Sequence, residues 1–308
     1  MADFWSHLQQ QLDQSQEQSL RRYRRVLASP QQVHIRLNGK ACINFCSNDY
    51  LGLANHPQLI EAATSAFTQS GFGSGASHLV CGHHEYHEQL EQAAAKAMGR
   101  ERALLFSTGF AANTAVLSTL LSPQDAIFHD KLNHASLIDG AKLSGAKSYR
   151  FAHNDMAHLQ SRLSKAESDA VRFKMLAVDG VFSMDGDIAP LPELAALAKQ
   201  HQAVLMVDDA HGFGVLGENG LGSCEHFGLS QNDVPIMMAT LGKALGSYGA
   251  VVAGPEVLVE TLIQSARPYI YSTAMPPAIA AASTQAFASE AKDHAQASDV
   301  RITKEIME

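Results

Sequence analysis

The sequence predicts an α/β fold, a mainly parallel sheet with helices on both faces. Three observations carry that prediction. From Ala103 onward, short apolar runs alternate with segments of helical period about 10–15 residues long. The runs are continuously apolar, as in Ala203-Val204-Leu205-Met206-Val207, which suits strands covered on both faces. The residues with chemistry to offer follow directly after such runs, at the edge where open α/β sheets keep ligands.

The elements follow in order. Residues 4–27 place Trp5, Leu8, Leu12 and Leu20 at helical spacing in a Gln-rich background, and Arg21, Arg22, Arg24 and Arg25 are expected to ride on that helix. Val33 to Leu37 alternates strictly, Asn38-Gly39 supplies a two-residue turn, and Ala41 to Phe45 returns, so a β-hairpin is expected. The next helix opens at Pro57, a residue suited to a first turn, with Asn55 as the expected cap. Gly71 to His78 is a glycine-rich loop leading into His83, His84, Glu85 and His87. His83 and His87 are expected on one helical face, but the H-E-x-x-H order of a zinc protease is absent, and no metal is expected.

Strands are then expected at 103–106, 126–129, 148–151, 173–178, 203–207 and 236–239, with helices at 110–121, 135–143, 155–165 and 191–201. Gly249–Ala253 is followed by a helix opening at Pro255 and an Ala-rich helix after Pro276-Pro277. The expected organisation is an N-terminal helix and hairpin over 1–45, a large domain over 46–275, and the start of a small C-terminal domain over 276–308.

At 308 residues the chain can bury a substantial core, and 46% hydrophobic with 18% charged residues is ordinary for a soluble globular enzyme. A formal charge of −8 argues against nucleic acid or an acidic membrane as the main partner. Cys42, Cys46, Cys81 and Cys224 show no C-x-x-C spacing, which points to a reducing, cytoplasmic setting. No apolar run reaches membrane-spanning length.

The densest chemistry lies between Val207 and Lys243. One run delivers Asp208, Asp209 and His211; the next, Ile236 to Ala239, delivers Thr240 and Lys243 between glycines. Singly, an Asp pair after a strand caps a helix and a lysine among glycines is a solvated loop residue. Together they suit an amine that holds a carbonyl compound covalently beside an acid. Ser107 to Asn113 puts Gly109 between a strand and a helix, either an anion site at the helix start or an ordinary turn. Of the G-x-G-x-x matches, Gly71–Ala76 follows a helix and Gly212–Gly217 runs on into a loop, so neither reads as a dinucleotide site.

In this order the motifs resemble the α-oxoamine synthase family, pyridoxal 5′-phosphate (PLP) enzymes of the aspartate aminotransferase fold, fold type I. Besides Val207 to Gly246, the resemblance rests on Ser47 to Leu53, on His87 with Leu90-Glu91, on Ser107 to Asn113, on Asn133 to Ser136 and on Val181 to Asp187. It implies a PLP-binding large domain. Lys243 would carry the cofactor and move the substrate's α-proton, Asp208 would face the ring nitrogen, and His211 would meet the phenolic oxygen. His134 would stack on the ring and touch substrate, and Ser183 would sit near the phenolic oxygen. Gly109, Phe110 and Thr240 would hold the phosphate, while Ser272 and Thr273 would reach the phosphate of a partner subunit, making a homodimer. Arg21 matches a substrate-contacting arginine. Asp179 is one methylene shorter than the Glu that most members carry.

The implied reaction is a decarboxylating condensation of L-alanine with pimeloyl-CoA or its carrier-protein thioester, as in biotin synthesis. Asp-Asp-Ala-His-Gly at 208–212 favours that branch over relatives acting on glycine, such as glycine C-acetyltransferase. Members continue for several dozen residues beyond position 308, so a truncated, non-catalytic PLP-fold subunit is the other reading.

Overall fold

The computed structural model describes residues 3–169 and 171–287. The chain divides into two compact units, Met1–Cys46 and Ser47–Glu308.

In the first unit, α1 (Phe4–Glu17) starts at Asp3, whose carboxylate accepts from the Ser6 amide at 3.4 Å. β1 (His34–Leu37) and β2 (Lys40–Ile43) form the expected hairpin. Its Asn38 and Gly39 both adopt positive φ (49° and 80°), the twist a two-residue hairpin turn needs. The helix expected to reach residue 27 ends at Glu17. Arginines three and four apart would repel along one helical face. Beyond Ser19 the chain instead runs out to the hairpin, where Leu27 bridges Leu37 and the Val26 amide donates to Asn38 Oδ1 at 2.9 Å. The arginine cluster therefore lies on non-helical chain.

The second unit begins with a 3-10 turn, Leu53–Asn55, and α2 (Pro57–Ser70). Pro57 does occupy the first turn, but His56 stands at the cap position, without a side-chain bond, and Asn55 closes the 3-10 turn instead. α3 (Glu85–Ala97) has a reciprocal cap: His84 Nδ1 accepts from the Tyr86 amide at 3.3 Å, and His87 Nδ1 accepts from the His84 amide at 2.8 Å. This cap places His83 outside the helix, so His83 and His87 do not share a helical face.

The α/β succession follows as β3 (Arg102–Phe106), α4 (Gly109–Leu120), β4 (Ala126–Asp130), α5 (Ala135–Ser144), β5 (Lys147–Phe151) and α6 (Met156–Ser168). It continues with β6 (Lys174–Asp179), α7 (Leu191–Gln200), β7 (Ala203–Asp208), the short α8 (Ser223–His226) and β8 (Ile236–Thr240). β9 (Ala250–Gly254), α9 (Glu256–Ser265), α10 (Arg267–Ile270) and α11 (Pro277–Phe287) complete the described chain. The seven strands are ordered β3-β9-β8-β7-β6-β4-β5, with β9 antiparallel to both neighbours and every other pairing parallel.

Successive strand residues point to opposite faces. Leu105, Val207 and Met237 join one buried cluster, with Leu90 and Leu194; Leu104, Met206 and Met238 join the other, with Val116 and Leu262. Both faces are dry, which is why the strands read as unbroken apolar runs. α11 packs on α2 and α3 within this unit. The remainder of the small domain expected over 276–308 lies outside the described residues.

β4 pairs on one side with β5 and on the other with β6, after which the chain adds β7 and β8 in the opposite direction. Such a reversal opens a crevice at the carboxyl ends of the strands, where doubly wound folds bind ligands.

Candidate active site

An open cavity, about 580 Å³ counted out to its solvent mouth, lies at that edge. It is lined by Gly109, Phe110, His134, Ser183, Asp208, His211, Thr240 and Lys243, together with Asn113, Ser136, Asp179, Val181, Ala210 and Met238.

The side chains arrive on strand ends, on the turns that follow them and on the first turns of helices. Asp208 is the last residue of β7 and is 4% exposed. Its Oδ2 accepts from Asn113 Nδ2 at 2.6 Å and its Oδ1 from the Ala210 amide at 3.0 Å. Burial pushes its carboxyl upward against these donors, with Lys243 and the nearby His134 imidazole also opposing. Asp179 is paired in register with Asp208 on the adjacent strand β6. Burial, then the neighbouring Asp208 charge, push it up to about 8.

Lys243 follows β8 in a tight loop. Gly246 closes that loop at φ 61°, so near to Leu53 and Ala54 that a β-carbon would collide with their backbone. Lys243 Nζ lies 2.6 Å from His211 Nε2, and Tyr50 Oη lies 2.7 Å from His211 Nδ1. Tyr50 donates onward to Asn48 Oδ1 at 3.2 Å. One direction of donation satisfies the series: Lys243 to His211, His211 to Tyr50, Tyr50 to Asn48. Burial lowers the Lys243 ammonium, opposed by Asp208 and Asp179, and brings the amine nearer its nucleophilic form. Burial followed by the Lys243 charge holds His211 down at about 4, so it is a neutral acceptor at ordinary pH.

α4 points its amino end at the cavity. Thr108 takes the Ala111 amide on its hydroxyl at 3.0 Å and the Ala112 amide on its carbonyl at 3.0 Å. The Gly109 and Phe110 amides precede the helical ladder and have no acceptor among the described residues, the condition for an anion seat. Thr240 Oγ1 stands at the end of β8, donating to the Gly249 carbonyl at 3.1 Å. His134 is the cap of α5, its Nδ1 at 2.7 Å from Ser136 Oγ and its backbone amide donating to Asp179 Oδ2 at 2.9 Å.

Ser272 and Thr273 do not line this cavity. They line a separate, smaller cleft of about 250 Å³ with His78, Phe106 and Ser107. Arg21 lies in the N-terminal unit, exposed, its guanidinium 5.8 Å from the centroid of the Tyr23 ring.

Asn113, Ser136 and Tyr50 lie within the motifs quoted from the sequence, but no role was expected of them. Asn113 Nδ2 is shared between Asp208 Oδ2 and Ser136 Oγ (2.8 Å), and through Ser136 it reaches His134. The available signal was an amide inside an otherwise apolar helix, Ala112-Asn113-Thr114-Ala115-Val116. The histidines flanking α3 draw together: one nitrogen each of His78, His83 and His87 falls within 4.8 Å of the others. His87, however, already uses both nitrogens, on the His84 amide and on the Met275 carbonyl at 2.8 Å. That leaves it no lone pair for a metal.

The family model for class I and II aminotransferases matches residues 40–307. The 8-amino-7-oxononanoate synthase of Cellvibrio japonicus (strain Ueda107) is 59% identical over 281 residues, covering 90% of this chain and 70% of the relative. That of Saccharophagus degradans is 58% identical over 279 residues, with the same coverage of 90% and 70%. Among solved structures, the Sphingomonas wittichii serine palmitoyltransferase superposes with a TM-score of 0.86 at 33% identity, over 93% of this chain and 72% of that one. An SPT structure that carries PLP gives 0.85 at 31% identity, over 92% and 72%. The Francisella tularensis 8-amino-7-oxononanoate synthase gives 0.69 at 40% identity, over 83% and 70%. No helix among the described residues is long and apolar enough to cross a membrane. The chain belongs to the class I and II aminotransferase family and, within it, to the 8-amino-7-oxononanoate synthases.

Proposed function

We propose that the chain binds PLP in this cavity and condenses L-alanine with a pimeloyl thioester, releasing carbon dioxide and the thiol carrier to leave 8-amino-7-oxononanoate. The observation that carries the reading is that a buried acid, Asp208, and a half-buried amine, Lys243, line one cavity. The residues fit the group. Phosphate suits the unpaired amides of Gly109 and Phe110 with the Thr240 hydroxyl, and a cationic ring nitrogen suits a carboxylate already held by two donors. Bound PLP supplies a ring that accepts the electron pair left on the amino acid's α-carbon.

The chain's own residues do the rest. Asp208 keeps the ring nitrogen protonated. Lys243 would hold the cofactor through its amine and serve as the base for the substrate's α-proton, since burial favours its unprotonated form. Neutral His211 meets the phenolic oxygen, with Tyr50 fixing its ring through Nδ1. His134, anchored by Asp179 and Ser136, would stack on the ring and meet substrate, and Ser183, on the same cavity, would offer its hydroxyl near the phenolic oxygen.

Ser272 and Thr273, on the separate cleft, belong in this reading to the phosphate of a second copy, so the working unit is a homodimer. Arg21 contacts substrate. The four cysteines are free, in keeping with a reducing cytoplasm. Purified protein titrated with PLP develops a visible band that L-alanine shifts, and alanine with pimeloyl-CoA releases carbon dioxide faster than glycine does. Absence of the band, or a preference for glycine, overturns the reading.

A further inference from the structure

Two carboxyls stand side by side on the floor of the cavity, and their surroundings differ. Asp208 has a donor on each oxygen, Asn113 on Oδ2 and the Ala210 amide on Oδ1, an arrangement that suits an anion. Asp179 has one, the His134 amide on Oδ2. Its Oδ1 is buried without a hydrogen-bond partner among the described residues. An ionised oxygen in that position would be unsolvated beside a second anion, whereas a hydroxyl there costs far less. The register pairing of β6 with β7 keeps the two groups neighbours in every state of the folded chain.

We propose that Asp179 works as a neutral carboxylic acid: a positioning residue that holds the His134 backbone through Oδ2 and leaves Asp208 the sole anion on the cavity floor. The charged groups facing it are Asp208 at the end of β7, Lys243 beyond β8 and Asp130 on β4. Asp130 is itself committed to the amides of Leu132 and Asn154 and to His153 Nδ1, so it does not compete for the proton. The His134 amide and then Lys243 oppose, and burial with two like charges outweighs them, in line with a carboxyl raised to about 8. The consequence is a division of labour: two ionised acids would bind a cation without discriminating its position, while one directs the ring nitrogen to Asp208. The inference rests on the cofactor reading for its meaning but not for its first test.

That test compares the PLP-free wild type with Asp179→Asn by chemical denaturation across pH 5 to 8. The folded wild type keeps a proton that the unfolded chain has lost, so its unfolding constant rises about tenfold more per pH unit than the variant's. Parallel curves overturn the proposal. Asp179→Ser replaces the Asn variant if that protein does not fold. The second arm titrates PLP into both proteins at neutral pH. Asn is neutral and keeps an acceptor for the His134 amide, so any loss of affinity stays below about thirtyfold; a larger loss shows that an anion is required at 179 and overturns the proposal. If PLP binds neither protein, the cofactor reading falls while the denaturation result still decides the protonation of Asp179.

Discussion

Asn113→Ala is the substitution that most directly probes how the site holds its charge. The Asn113 amide nitrogen donates to Asp208 Oδ2 at 2.6 Å and to Ser136 Oγ at 2.8 Å, inside a region with no exposure at Asn113 itself. Alanine leaves the carboxylate with one donor, the Ala210 amide, in surroundings that already push its proton affinity up. A hydrogen bond to a charged group contributes about 1.5–3 kcal/mol. At about 1.4 kcal/mol per tenfold, losing that donor weakens the hold on the ionised form of Asp208 by about 10- to 100-fold. The variant therefore binds PLP about 10- to 100-fold more weakly at neutral pH, and the acidic limb of its binding profile moves upward. PLP titration followed by absorbance, repeated from pH 5 to 9, reads both quantities. A Kd within about twofold of wild type and an unmoved acidic limb would refute the assignment of Asn113 as the donor that keeps Asp208 ionised.

Three further perturbations have defined outcomes. Lys243→Ala abolishes covalent attachment of PLP, so borohydride treatment leaves no cofactor mass on the protein; retention of that mass moves the attachment elsewhere. Glu91→Gln tests a buried acid outside the cavity, whose Oε1 accepts from the Leu105 amide at 3.0 Å and whose carboxyl burial raises from 4.5 to about 8. A raised acid contributes fully below its unfolded pKa and loses that contribution as pH climbs through the folded value. The Gln variant therefore gains on wild type by roughly 1.4 kcal/mol per pH unit between about pH 5 and 8 and levels off above, and a constant difference by denaturation shows Glu91 to be ionised throughout. Gly222→Ala puts a β-carbon into Asp209 Oδ2 at φ 95°, whereas Gly228→Ala, at φ 65°, meets nothing within 4 Å. The first loses about 3 kcal/mol or more and the second about 1 kcal/mol in denaturation experiments, a gap that closes if the Asp209 pocket can give way.

How much of this was legible depends on the range of the interaction. Asp208, His211 and Lys243 could be read because strand periodicity alone delivers the residue after an apolar run to the sheet edge. The hairpin at Asn38-Gly39 was equally local. The early end of α1 was not, because helical spacing of Trp5, Leu8, Leu12 and Leu20 does not register that four arginines follow, nor that Val26 and Leu27 find partners in the hairpin. The cap at His84 was missed for a related reason. Histidine is an uncommon cap, and its role depends on His87 returning a nitrogen to the His84 amide. Asn113 and Tyr50 lay furthest from view. Asn113 sits 95 residues from Asp208 and Tyr50 sits 161 residues from His211, separations that no periodic pattern spans. Motifs thus mark the groups that meet the ligand, while the groups that set their protonation come from other strands and helices and show themselves only once the sheet order is known. The contrast between Asp179 and Asp208 follows from the same point. Both end apolar strands and read alike in sequence, and only the donors brought by α4 and by the turn after β7 separate the acid that stays charged from the one that does not.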